Sequence, residues 1–137
     1  MNFGVLIDAG PLVAILNRED RDHNKCLDLF KSLQEPLLST WMPITEAMHL
    51  LNYSSVAQNA LLEMIERGVL KILELGTEDL PPIRSLIRKY SDQPMNFADA
   101  TLVHVADREG LREIFTLDRR DFTIYKLKQG RTLSVIP

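Results

Sequence analysis

The chain has 137 residues, 45% hydrophobic and 26% charged, with a formal net charge of −3, a soluble globular composition that excludes disordered, fibrous and membrane-embedded classes. Its single cysteine, Cys26, excludes an internal disulfide and fits a reducing cytoplasm. No apolar run nears the ~18 residues of a spanning helix, and no basic stretch followed by a small-residue cleavage site marks a secretion signal. The length suits one domain, 1–137, with a sizeable core.

Charge is uneven along the chain. Residues 1–83 carry 6 Lys/Arg against 12 Asp/Glu, whereas 84–137 carry 10 against 7. Clustered acids beside a basic C-terminal third suit a site holding both metal and phosphate, and equally a solvated, unevenly charged surface.

Phe3-Gly4-Val5-Leu6-Ile7-Asp8 reads as a buried first strand that ends on a carboxylate, with Ala9-Gly10-Pro11 opening a helix. Asp8 can cap that helix or stand at the carboxyl rim where open α/β sheets bind ligands; one carboxylate has oxygens for both. Leu12, Ile15 and Leu16 mark the first helix. Cys26, Leu29, Phe30 and Leu33 mark a second, with Cys26 a small buried hydrophobe. Pro36-Leu37-Leu38-Ser39 is a second strand, and Thr40 starts a third helix with Pro43 in its first turn. Ile44, Ala47, Met48 and Leu51 form its apolar stripe. At about 100° per residue Glu46 points away from that stripe, toward solvent.

Ser55 is positioned to cap a fourth helix that turns Val56, Ala60, Leu61, Met64 and Ile65 inward and ends at Arg67-Gly68. Val69 to Leu75 alternates as a third strand, and Thr77 caps a fifth helix through Pro81-Pro82, Ile83, Leu86, Ile87 and Tyr90. Ser91 to Pro94 breaks it. Asn96 and Asp99 form a capping box at the head of a sixth helix containing Ala100, Val103 and Ala106 and closing at Gly110. Residues from Leu111 lead into a fourth strand that ends at Thr116-Leu117-Asp118, a second strand closing on an acid. Thr132 to Ile136 is a late edge strand. The alternation implies an α/β fold, a mostly parallel sheet of four to five strands flanked by helices. In such a sheet Asp8 and Asp118 share the carboxyl edge, and the loop before Asp99 can bring a third acid there.

Four segments, Ile7-Asp8-Ala9-Gly10-Pro11-Leu12, Ile44-Thr45-Glu46, Pro94 to Ala100 and Phe115 to Phe122, together resemble the successive motifs of PIN-domain ribonucleases, above all the toxins of VapBC-type toxin–antitoxin pairs. The resemblance implies that Asp8, Glu46, Asp99 and Asp118 bind a catalytic Mg²⁺ or Mn²⁺. It adds Asp121 as a further acid, Thr116 as a hydroxyl beside the site, and Asn96 where relatives often carry Asp. It also implies RNA as substrate, a small antitoxin inserting a segment near the acids, and homodimerisation; the lack of a long apolar run leads to no membrane partner being expected. Grouped carboxylates without accompanying His or Cys favour a hard cation, which suits phosphodiester hydrolysis. His23, His49 and His104 are scattered, so attack by water with 5′-phosphate and 3′-hydroxyl products is expected rather than a route through the 2′-hydroxyl. Arg119 and Arg120 can hold substrate phosphates or stand as solvated turn residues. Two other readings are a non-catalytic binding module and a phosphoryl-accepting α/β domain. The second lacks a further acid beside Asp8 and a lysine at a strand end.

Overall fold

Val5, Leu6 and Ile7 form β1 (Val5–Ile7), each 1% exposed or less. A strand buried on both faces belongs inside a parallel sheet, and β1 is the middle of five. The order is β3 (Leu70–Ile72), β2 (Leu37–Ser39), β1, β4 (Glu113–Phe115), β5 (Ser134–Ile136). Every pairing is parallel, with Leu6 opposite Leu38 on one side and Ile114 on the other. The computed structural model describes residues 3–137.

Alternate residues of each strand feed opposite cores. Val5, Ile7, Leu37 and Phe115 pack with α1 (Ala9–Leu16), α2 (His23–Ser32), α3 (Trp41–Leu50) and α4 (Ser55–Glu66), around Leu12, Cys26, Ala47 and Leu61. Leu6, Leu38 and Ile114 pack with α6 (Phe97–Glu109) and α7 (Arg119–Ile124), and the end of α5 (Leu80–Lys89) adds Tyr90. Helices therefore cover both faces. No helix among the described residues is long and apolar enough to cross a membrane.

Gly4 opens β1 at φ +136°, where an added Cβ would lie 2.6 Å from Leu38 Cδ1. Only glycine takes that conformation cheaply, and it lets the chain enter the sheet flush against β2.

Several local expectations are corrected. Ser54, not Ser55, caps α4, its hydroxyl accepting from Ala57 N–H at 3.1 Å. In that register Ala57 and Leu61 turn inward, while Val56, one residue off, is 79% exposed. Thr77 caps nothing. It begins a 3-10 turn, Thr77–Asp79, in which the Asp79 carboxylate takes the Gly76 N–H at 2.8 Å. Asp79 also accepts from His104 Nε2 at 2.7 Å and Arg108 at 3.3 Å, tying that turn to α6. These donors hold its carboxyl down at about pKa 2, His104 contributing most. The third strand is limited to Leu70–Ile72. The fourth stops at Phe115, because Thr116 Oγ1 takes the Asp118 N–H at 3.0 Å and bends the chain off the sheet into α7. Parallel strands need a crossover, and α7, unmarked in the sequence reading, supplies part of it between β4 and β5.

Candidate active site

The acids meet at the carboxyl edge of the sheet. Asp8 follows β1 directly and is 6% exposed. Its Oδ1 accepts from Ala9 N–H at 2.8 Å as the cap of α1. Its Oδ2 accepts from the Thr116 hydroxyl at 3.1 Å. Asp8 therefore caps α1 and stands at the carboxyl rim of the sheet at once. Since Thr116 Oγ1 also accepts from Asp118 N–H, this buried hydroxyl has its proton committed to Asp8 and locks the ends of β1 and β4 together.

Asp99 sits in the first turn of α6 and is 7% exposed. The capping box is present: Asn96 Oδ1 accepts from Asp99 N–H at 2.8 Å, and Asp99 Oδ2 accepts from Asn96 N–H at 3.2 Å. Asn96 thus fixes the carboxylate in place. Asp118 precedes α7, Asp121 lies in its first turn, and both are more solvated than Asp8 and Asp99.

Burial raises Asp8 from 3.8 to about 6, with repulsion from Glu46 and Asp118 adding to it. Burial likewise raises Asp99 to about 7, and Asp8, Asp118 and Glu46 add to that. Asp118 is raised by burial and by Asp121. No cationic side chain is among the causes acting on these three groups. Glu46 is exposed on α3, as its place off the apolar stripe requires, yet its charge reaches both buried acids. The acids are gathered but not closed: among the described residues no three His, Cys, Asp or Glu side chains stand together as a ready cation cage.

The two arginines part company. Arg119 donates to the carbonyls of Val135, at 3.3 Å, and Pro137, so it fastens α7 to the end of β5. Arg120 is exposed and makes no side-chain hydrogen bond or ion pair among the described residues. A further aromatic, Tyr125 at the end of α7, is buried with its hydroxyl under the influence of Asp99, Asp121, Asp118 and Asp8. The sequence reading passes it over. Its one signal is the spacing of four from Asp121.

A parallel α/β domain whose carboxyl edge gathers uncompensated acids from several elements is a fold built around a charged crevice. The PIN domain family model matches residues 5–127, and the chain belongs to that family. The Mycobacterium tuberculosis protein Ribonuclease VapC26 is 28% identical over 135 residues, covering 97% of this chain and 100% of that protein. Among solved structures, M. tuberculosis VapC20, a sarcin-ricin loop cleaving toxin, superposes with a TM-score of 0.73 at 17% identity, over 80% of this chain and 86% of that one. VapBC2 from Rickettsia felis, bound to a promoter DNA fragment, gives 0.64 at 13% identity, over 96% and 98%.

Proposed function

We propose that this chain is a divalent-cation-dependent endoribonuclease, the toxin of a toxin–antitoxin pair acting in the cytoplasm. The observation that carries the reading is the pair of buried carboxylates, Asp8 and Asp99, facing further acids with no cationic partner. Such a group tolerates full ionisation only with a cation or with protons held on. All its donors are oxygens, the set that Mg²⁺ and Mn²⁺ prefer.

Asp8, Glu46, Asp99 and Asp118 would hold the ion, with Asp121 beside them. Asp8 and Asp99 are anchored by Thr116 and Asn96, while the exposed Glu46 and Asp118 would turn inward to complete the set. A divalent cation there supplies charge neutralisation at a phosphate and acidification of water. Arg120 offers a guanidinium to a flanking phosphate. Arg119 acts earlier in the chain of causes, holding α7 and therefore Asp121 in place.

RNA suits the surface as well as the crevice. A groove of about 350 Å³ between α5, α6 and the segment after α7 is lined by Lys89, Lys126, Lys128 and His104, with Asp107 as the one acid among its lining residues, a mostly basic track in the basic C-terminal third. Trp41, Leu50, Tyr53 and Val56 are exposed on and between α3 and α4, apolar area of the kind that antitoxin binding or homodimerisation would cover. The ribonuclease name of the M. tuberculosis relative and the toxin–antitoxin structures that share this fold support the same reading.

The test is RNA cleavage with Mg²⁺ or Mn²⁺, with and without EDTA, by wild type and Asp8→Asn. Cleavage that EDTA and the substitution both abolish is expected. Cleavage indifferent to both would sink the reading, and a 2′,3′-cyclic phosphate product would overturn water as nucleophile.

A further inference from the structure

Two helices that carry acids of the site also wall an apolar cavity. It holds about 340 Å³ and is lined by Met42 of α3, Phe97 of α6, Leu80 and Ile83 of α5, and Leu75 and Thr77 of the segment after β3. Met42 stands one helical turn before Glu46, the spacing that puts two side chains on one face of a helix. Phe97 is the first residue of α6, two before Asp99. The cavity therefore adjoins the acids at the same carboxyl edge of the sheet.

Its walls are pinned from outside. The buried hydroxyls of Thr40 and Thr101 share a hydrogen bond of 2.8 Å, which ties the start of α3 to α6 one turn after Phe97. Across the cavity, residues 74–80 are held by the Asp79 carboxylate, which accepts from Gly76 N–H, His104 and Arg108, and by Arg108 donating to the Glu74 carbonyl at 2.8 Å. The rim is apolar and open: Phe97 is 45% exposed beside the capping box that fixes its helix. A preformed, mostly apolar hollow of this size with one hydroxyl, that of Thr77, among its lining residues has the character of a ligand site.

We infer that this cavity seats one unpaired base of the RNA substrate, stacked on Phe97, next to the phosphate that is cut. The inference deepens the ribonuclease reading and rests on it. A nucleotide is a charged phosphate and a flat base joined through one ribose, and the molecule sets a place for a phosphate directly beside an apolar hollow with an aromatic rim. Proteins that select RNA take unpaired bases on aromatic rings in this way. A protein segment would fill the hollow without using its position beside the acids, whereas a nucleotide uses both.

A random-sequence oligoribonucleotide pool is cleaved with Mn²⁺ by wild type, Phe97→Ala and Phe97→Tyr, the cut sites are sequenced, and each protein is melted alone. An abasic oligodeoxyribonucleotide, which keeps phosphates and lacks bases, serves as competitive inhibitor. Phe97→Ala is expected to lower kcat/KM about 10-fold, to relax base preference at one position flanking the cut, and to leave the melting temperature and inhibition by the abasic strand unchanged. Phe97→Tyr should restore both rate and preference. Wild-type kcat/KM in Phe97→Ala overturns the inference, as does an equal loss of affinity for the abasic strand or a loss that tracks a lowered melting temperature. Sedimentation that shows Phe97→Ala breaking a wild-type dimer, with cut-site preference intact, gives the cavity to a second copy of the chain and also overturns it. If wild type cleaves no RNA, the ribonuclease reading and this inference fall together; if wild type and Phe97→Ala cleave alike, the ribonuclease reading stands and this inference alone falls.

Discussion

Asp99→Asn separates the two uses of an acid at a helix start. As a cap residue, Asp99 gains ~0.5 kcal/mol from the positive end of α6. As a confined charge it loses more. Its carboxyl is raised from 3.8 to about 7, which at ~1.4 kcal/mol per unit amounts to ~4 kcal/mol. The group lies at the rim of the crevice, and solvent screening halves this to ~2 kcal/mol. Confinement therefore wins over capping.

The sign follows from linkage. A folded-state pKa above the unfolded value means that the native chain holds the proton longer. The stability Asp99 contributes is full below about pH 4, falls as pH rises, and is gone above about pH 7. Asparagine carries no charge and keeps an oxygen for the Asn96 N–H. Melted in EDTA, Asp99→Asn should exceed wild type by ~2 kcal/mol at about pH 8, or ~6 °C for a chain of this size. The gap should close between about pH 7 and pH 4. Comparing the two proteins cancels every other titrating group, Asp79 and Asp8 included, apart from Asp8's coupling to Asp99. Mn²⁺ at about pH 8 should raise the wild-type melt and leave the variant's nearly unmoved. A gap independent of pH, or a variant less stable throughout, would refute the claim that Asp99 is a confined charge.

Other substitutions probe the supports. Thr116→Val strips Asp8 of a donor and Asp118 N–H of its acceptor, so stability should fall by ~1–3 kcal/mol in urea melts and cleavage with it, while Thr116→Ser restores both. Gly4→Ala forces a Cβ against Leu38 at φ +136° and should cost ~1–3 kcal/mol by the same measurement, with cleavage per folded molecule unchanged. Replacing Lys89, Lys126 and Lys128 by glutamine should lower the salt dependence of RNA binding, the slope of log affinity on log salt decreasing by ~2 at ~0.7 per lost phosphate contact. An unchanged slope would remove that groove from the RNA path.

The parts of this site that the sequence makes legible are those where one residue does local work. Asp8 and Asp118 stand out because apolar runs lead up to them, and Asp99 because its capping box with Asn96 is a three-residue pattern. The PIN resemblance joins them in order, and the family match over residues 5–127 bears it out. What fails to show is whatever depends on how distant elements meet. Glu46 reads as solvent-facing and is, yet its charge reaches Asp8 and Asp99 only because α3 starts beside them at the end of β2. Arg119 looks like a phosphate ligand until β5, fifteen residues later, arrives with carbonyls to hold it.

Helix α7 is missed for a different reason. With six residues it has too little length for a helical period to show. It nevertheless carries Asp121 and ends at Tyr125, so one unread helix accounts for an acid assigned by resemblance alone and for the buried Tyr125 hydroxyl, which has no hydrogen-bond partner. Of the corrections, the early end of β4 and the helix after it fall where the acids gather. Buried like charges and an unpaired hydroxyl oppose folding, and a chain selected for stability alone would replace Asp99 with asparagine and Tyr125 with phenylalanine. Both costs fall where the acid site is proposed.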